Sequence, residues 1–200
     1  MRAGFAAPLR YTFTMTRRIS ILNLVVAAAL FAAAPAASQD TPTDDPQILL
    51  ERLAQPDQDR WQRIERQITR IWSRSGSASV DLLLQRGRDA MQEGRADAAI
   101  DHFSAVIDHA PDFAEGWHAR ATAWFMEGRL GLAMADLEYA LALNPQHFLA
   151  MMGLGRILED LGQPEKARDV MLRVRAIHPH RDDVKAALER LDKAVQGVTL

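Results

Sequence analysis

Histidine is the side chain best suited to bind a metal or move a proton near neutral pH, and this chain has six: His102, His109, His118, His147, His178 and His180. None forms an H-E-x-x-H pair, the helical spacing that sets two imidazoles on one metal. The close pair in His178-Pro179-His180 could meet a metal in a turn, but the acids beside it, Asp182-Asp183, read most simply as a helix cap, and Glu159-Asp160 as a solvated face. There is no cysteine, which removes disulfides, thiolate metal sites and a cysteine nucleophile. A glycine loop to cradle phosphate, a G-x-S-x-G elbow and a spaced carboxylate pair are all missing from the sequence. No catalytic residue, no metal ligand and no cofactor is therefore expected; the chain reads as a non-enzyme.

Charge excludes a second class. The formal charge of −2 hides an asymmetry, because residues 1–38 carry Arg2, Arg10, Arg17 and Arg18 and no acid. Without them 20 basic residues face 26 acidic ones, a net −6, which is a poor match to a phosphate backbone that needs a basic stripe. Nucleic acid is not an expected partner. Hydrophobic residues make up 48% of the chain, enough for a packed core, and helix formers dominate without the alternation that strands require. An all-α fold is expected.

The amino terminus reads as an address. Arg17-Arg18, the apolar run Ile19 to Ala34, the small residues Pro35-Ala36-Ala37-Ser38 and the polar Gln39-Asp40 stand in signal-peptide order, with cleavage near Ala36 or Ser38 and a start at Met1 or Met15. The run is short and Ala-rich for a bilayer span of roughly 20 residues, so no stable membrane span is expected after cleavage. The expected location is the periplasm, the alternative an inner-membrane anchor with the rest of the chain on the periplasmic side. Residues 39–46 are polar and proline-punctuated, a flexible linker.

Residues 47–79 read as a helical arm and hinge. Asp45-Pro46 supplies an N-cap and a first-turn proline ahead of Ile48, Leu49, Leu50 and Leu53, and Pro56 stops that helix. A second helix is expected from Asp57 to Trp72, with Trp61, Ile64, Ile68 and Ile71 at helical spacing, its stripe docking on the first repeat as a cap. Ser73 to Ser79, with Gly76, breaks it.

From residue 80 the chain repeats itself. Pro111, Pro145 and Pro179 are spaced by 34, as are Gly94, Gly128 and Gly162, and Ala99, Ala133 and Ala167. The units are 80–113, 114–147 and 148–181, each a helix pair, and 182–200 forms a capping helix and tail with Val184, Ala187, Leu188, Leu191 and Val195 on one face. This pattern resembles the tetratricopeptide repeat (TPR) family. Repeat two carries Trp117, Trp124, Ala133, Leu137, Ala140 and Pro145; repeat three carries Met151, Leu154, Gly155, Leu158, Ala167, Met171 and Pro179; repeat one carries Leu83, Gly87, Ala90, Ala99, Phe103, Val106 and Pro111. Arg86 and Arg120 stand where the family has Leu.

The resemblance implies an all-α, right-handed superhelical array of three TPR hairpins with a capping helix, preceded by the arm, and a concave groove that holds an extended or helical segment of a protein partner. Positions that face the groove in the family fall here on Leu84, Arg88, Met91, His118, Thr122, Phe125, Met126, Met152, Arg156 and Glu159, besides Asp81, Gln92, Glu115, Leu149 and Asp160. Leu84, Met91, Phe125, Met126 and Met152 would form a soft apolar strip, with Arg88 and Arg156 for carboxylates. Members that clamp a terminal carboxylate use Lys and Asn where Leu84 and Arg88 stand, so that role is not implied. The chain as a whole resembles small exported repeat proteins of Gram-negative bacteria. Two functions remain: an envelope scaffold that binds a partner segment, or a structural, oligomerising subunit using Trp61, Ile64, Ile68 and Trp72.

Overall fold

The computed structural model describes residues 45–198; the expected signal segment (1–38) and most of the expected linker lie outside them. The described residues form nine α-helices and no strand: α1 Pro46–Leu53, α2 Trp61–Trp72, α3 Ala78–Gln92, α4 Ala96–His109, α5 Ala114–Met126, α6 Leu130–Leu143, α7 Phe148–Asp160, α8 Pro164–Ile177 and α9 Asp182–Val198. Helices α3 to α8 are three antiparallel pairs in sequence order, an all-α repeat array, and α9 packs on α8.

Each pair turns on the same backbone device. Gly94, Gly128 and Gly162 adopt φ of 72°, 69° and 69°, in the left-handed region that side chains disfavour. The amide of the following residue reaches back across the helix end: Arg95 N–H to Ala90 O at 2.8 Å, Arg129 to Trp124 at 2.9 Å and Gln163 to Leu158 at 2.9 Å. The glycine amides bond to Met91, Phe125 and Glu159, which completes a Schellman motif and satisfies carbonyls that would otherwise be orphaned. The 34-residue glycine period is thus a period of helix ends.

Within a pair the contact is tight where the sequence is small. A Cβ on Gly87 would fall 2.3 Å from Cε1 of Phe103, so α3 and α4 can meet at this separation only because position 87 has no side chain. Ala121 fills the corresponding site in repeat two and is 1% exposed. Arg120, where the family has Leu, is explained by its neighbour. It makes a two-pronged pair with the buried Asp136 of α6, at 2.7 and 2.8 Å, donates to Ser104 Oγ at 3.2 Å and lies over the Trp117 ring.

The arm departs from expectation. Asp45 caps α1 as the Asp-Pro order suggests, its side chain accepting from Gln47 N–H at 2.9 Å. Helix α2 begins at Trp61 rather than Asp57, because the segment after Pro56 closes into a turn in which Gln58 accepts from the Arg60 amide. Its stripe does not cap the first repeat. Leu49, Leu50, Leu53, Ile64 and Ile68 are buried in one cluster with Phe148, Met151, Met171 and Val174 of repeat three and Val184, Leu188 and Leu191 of α9. Trp72 stacks on His147 at 4.6 Å, Trp61 meets His178 edge-on at 5.2 Å, and Glu65 takes His178 and Arg181. The seats for the arm are the turns that precede α7 and α9, where two buried histidines and Phe148 present an aromatic surface; the core of repeat one closes around Phe103 with Ala119 and Ala123 of α5. The surface proposed for oligomerisation is consequently used within the chain, with Ile64 and Ile68 at 3% and 0% exposure. At about 1.5–3 kcal/mol for each fully buried aliphatic side chain, the five aliphatic residues named above anchor the arm firmly.

Candidate functional site

The first helices of the repeats, α3, α5 and α7, frame two adjoining cavities. One, of about 120 Å³, lies between α5 and α7, with His118, Ala121, Thr122, Phe125, Gly153, Arg156 and Ile157 around it and Leu137 reaching in from α6. The other, of about 260 Å³, lies between α3 and α5 and takes in Arg88, Met91, Gln92, Phe103, Glu115 and His118. Thr122 borders both.

Of the groove residues expected from the sequence, Arg88, Met91, His118, Thr122, Phe125 and Arg156 come together here. Leu84 does not: it is 1% exposed in the core of repeat one, because α3 turns that position toward Phe103 and Val80. Met152 packs against the cluster shared by the arm, repeat three and α9. Met126 is 60% exposed at the end of α5 and lines neither cavity. Glu159 is held by Arg190 of α9 at 3.1 and 3.2 Å. The apolar strip reduces to Met91 and Phe125, joined by Leu137 and Ile157.

The charges facing the groove are already paired. Glu115, 8% exposed, is the hub: Oε1 accepts from Arg88, and Oε2 accepts from His147 Nε2 at 3.0 Å and faces His118 Nδ1 at 3.3 Å. Burial alone would push its carboxyl up, but the hydrogen bonds from the two histidines overcome that and hold it well below the usual carboxylate range, so it is ionised. The same Arg88 nitrogen donates to Ser73 Oγ at 2.9 Å. Arg156 is paired with Asp160 one turn on. Neither guanidinium is therefore the bare carboxylate receptor that the sequence suggested.

Glu115, His118 and His147 also have the spacing of a metal site, their ligand atoms all lying within 4.8 Å of one another. The protons oppose it. His147 Nδ1 accepts the amide of Ala150 at 3.2 Å, capping α7, so its proton must sit on Nε2, the atom that would have to ligate. Burial pushes this imidazole below the ordinary histidine range against the pull of Glu115, which keeps it neutral in that tautomer. A metal would have to displace the proton, the helix cap and the Glu115 bond together. The trio reads as a hydrogen-bonded hub. Sequence reasoning did not assemble it: the Glu115-x-x-His118 spacing was visible, but His147 arrives from a turn 32 residues away.

Among the described residues the fold is an array of helix pairs with a small, largely apolar recess between first helices. Models of the tetratricopeptide repeat match residues 84–141 and 125–191. A TPR repeat-containing protein of Rhizobium etli is 30% identical over 195 residues, covering 92% of this chain and 96% of that one. The chain belongs to the tetratricopeptide repeat family. The DnaJ homolog subfamily C member 3 of Mus musculus is 28% identical over 118 residues, which are 59% of this chain but 23% of that protein. Among solved structures, the first TPR of Spaghetti (RPAP3) bound to the HSP90 peptide SRMEEVD superposes with a TM-score of 0.57 at 25% identity, over 58% of this chain and 93% of that one. Among the described residues no helix is long and apolar enough to cross a membrane.

Proposed function

We propose that this chain is a non-catalytic scaffold of the cell envelope that holds an extended or helical segment of a protein partner on its concave face, with an apolar side chain of that segment seated between α5 and α7. The observation that carries this reading is the cavity of Phe125, Leu137, Gly153 and Ile157, an apolar recess at the mouth of which the surrounding charges are already compensated. A peptide is favoured over a small polar ligand because the recess offers area rather than free charge, and a similar solved TPR domain is bound to a peptide. Export through residues 1–38 rests on the signal order of that segment.

The test is a cross-linked pulldown from envelope extract with the chain from Gln39 as bait, beside a Thr122→Trp copy, in which the indole plugs the rim shared by both cavities. Loss of a recovered partner in the variant supports the groove. Equal recovery from both baits contradicts it. Amino-terminal sequencing of the exported chain tests the compartment: a start just after Ala36 or Ser38 supports cleavage, and an intact amino terminus on membranes supports the anchored alternative.

A further inference from the structure

Among the described residues, one buried side-chain nitrogen lacks any hydrogen-bond partner: Nδ1 of His178, in the turn between α8 and α9. The ring is fully buried. From one side Trp61 of the arm meets it edge-on, at 5.2 Å and 69°; from another Phe148 of α7 packs perpendicular to it, at 5.4 Å and 89°. Its Nε2 lies 3.0 Å from Glu65 Oε2. An ionised carboxylate can only accept, so the proton is on Nε2 and Nδ1 holds a bare lone pair in a dry place.

The charged and titratable groups around the ring can be named element by element. Helix α2 contributes Glu65. The turn itself contributes His180 and Arg181, and Arg181 donates to Glu65 Oε1 at 2.8 Å. Helix α9 contributes Asp183, which takes the other side of Arg181. Helix α7 contributes the uncharged Phe148 ring. Burial, with Arg181 and His180 adding like charge, outweighs the attraction of Glu65 and holds the imidazole below the ordinary histidine range.

Protonation would place a second N–H at Nδ1, a buried donor with no acceptor, on a cation beside Arg181. Glu65 compensates part of that charge, but the new N–H stays unsolvated while the ring is buried, and Trp61 of the arm is one of the two rings packed against it. His180 is differently placed. Its Nε2 donates to the Gln55 carbonyl at 2.9 Å, a bond that proton uptake at its other nitrogen leaves intact.

We propose that the arm is an acid-weakened strap: uptake of a proton by His178 shifts α2 toward opening from the turn ahead of α9, and loss of that proton shifts it back toward the seated state. Release bares Ile64, Ile68 and Phe148, which are buried while the strap is down. The segment joining the arm to α3 is Ser73–Ser77, where Gly76 has φ of 83° and no atom near its missing Cβ, and where Ser73 accepts from Arg88 and Ser75 donates to Asp81.

One proton taken up on opening shifts the open-to-closed ratio by up to about tenfold per pH unit below roughly 6.5, the ordinary histidine value. Hydrogen exchange of the chain from Gln39, between pH 7.5 and 5, reads this as protection factors of the α2 amides relative to those of α3. Protection of α2 is expected to fall with acid while α3 holds. In His178→Phe, and in His178→Gln, which keeps a neutral donor toward Glu65, the fall should become less steep by up to about tenfold per pH unit. The slope is the readout, so a variant of lower basal stability still decides. An unchanged slope in both variants, or α2 protection that follows α3 in the parent, overturns the strap. Where neither variant keeps its helices, the imidazole NMR titration of His178 in the parent decides. A midpoint below the ordinary histidine value that coincides with α2 opening upholds the strap. An ordinary midpoint with α2 still protected overturns it.

Discussion

Replacing Asp136 with Ala should cost far more than its single carboxylate suggests, and the cost should vanish when Arg120 is replaced too. Asp136 is buried and takes two parallel bonds from Arg120, whose side chain is 20% exposed. Removing one partner of a buried pair costs about 3–5 kcal/mol, because the other charge is left without compensation. Here Arg120 keeps Ser104, the Trp117 face and some water, which lowers the figure to about 2–3 kcal/mol. That corresponds to a fall of roughly 5–10 °C in Tm for a domain of this size. The double variant Arg120→Leu, Asp136→Ala restores the family residue on α5 and leaves neither charge of the pair behind, so it should lie within about 1 kcal/mol of the parent. Urea denaturation followed by circular dichroism at 222 nm, on the four corners of the cycle, measures the coupling directly. If the double variant is as unstable as Asp136→Ala, the pair is not what makes Arg tolerable at this position, and the reasoning fails.

Other expectations follow from the same contacts. Gly87→Ala should lose about 1–3 kcal/mol, because its Cβ collides with the Phe103 ring, whereas Gly153→Ala, whose Cβ meets Leu137 at 3.3 Å, should cost less; thermal melts compare them. Zinc or nickel at stoichiometric excess should leave the Tm unchanged, since His147 presents a proton rather than a lone pair to Glu115; a metal-dependent rise that disappears in His118→Ala would refute this. His147 has a folded-state pKa below its unfolded value, so the folded chain binds fewer protons and stability is full above roughly pH 6.5 and declines as pH falls below it, by up to about 1.4 kcal/mol per unit. In His147→Asn, which keeps an acceptor for the Ala150 amide, denaturation midpoints between pH 7.5 and 5 should decline less steeply; an equal decline counts against the assignment.

The repeat was legible because its signals are local. Gly94, Gly128 and Gly162 mark helix ends wherever they occur, and Gly87 and Ala99 report close approach without any knowledge of the partner atom. The site was less legible because a groove position is defined by what the neighbouring helix does. Leu84 occupies a family groove position, yet α3 buries it against its own repeat, and Met152 is claimed by the cluster that the arm, repeat three and α9 share. The arm was misplaced for a related reason. Trp61, Ile64 and Ile68 announce an apolar stripe, but nothing in their spacing says that the turns carrying His147 and His178 would receive it. Arg88 looked like a free cation for the same lack of long-range information, since Glu115 lies 27 residues away on the next repeat.

The measurement that bears most directly on the scaffold account is site-specific photo-cross-linking in cells, with a photoreactive residue at Thr122, on the rim of both cavities, or at Leu132, exposed on α6 outside them. The account predicts a discrete adduct from position 122, weakened by Gly153→Met, which fills the recess, and none from position 132. Adducts from Leu132 alone, or adducts at Thr122 that ignore the filled recess, would place the partner elsewhere and contradict it.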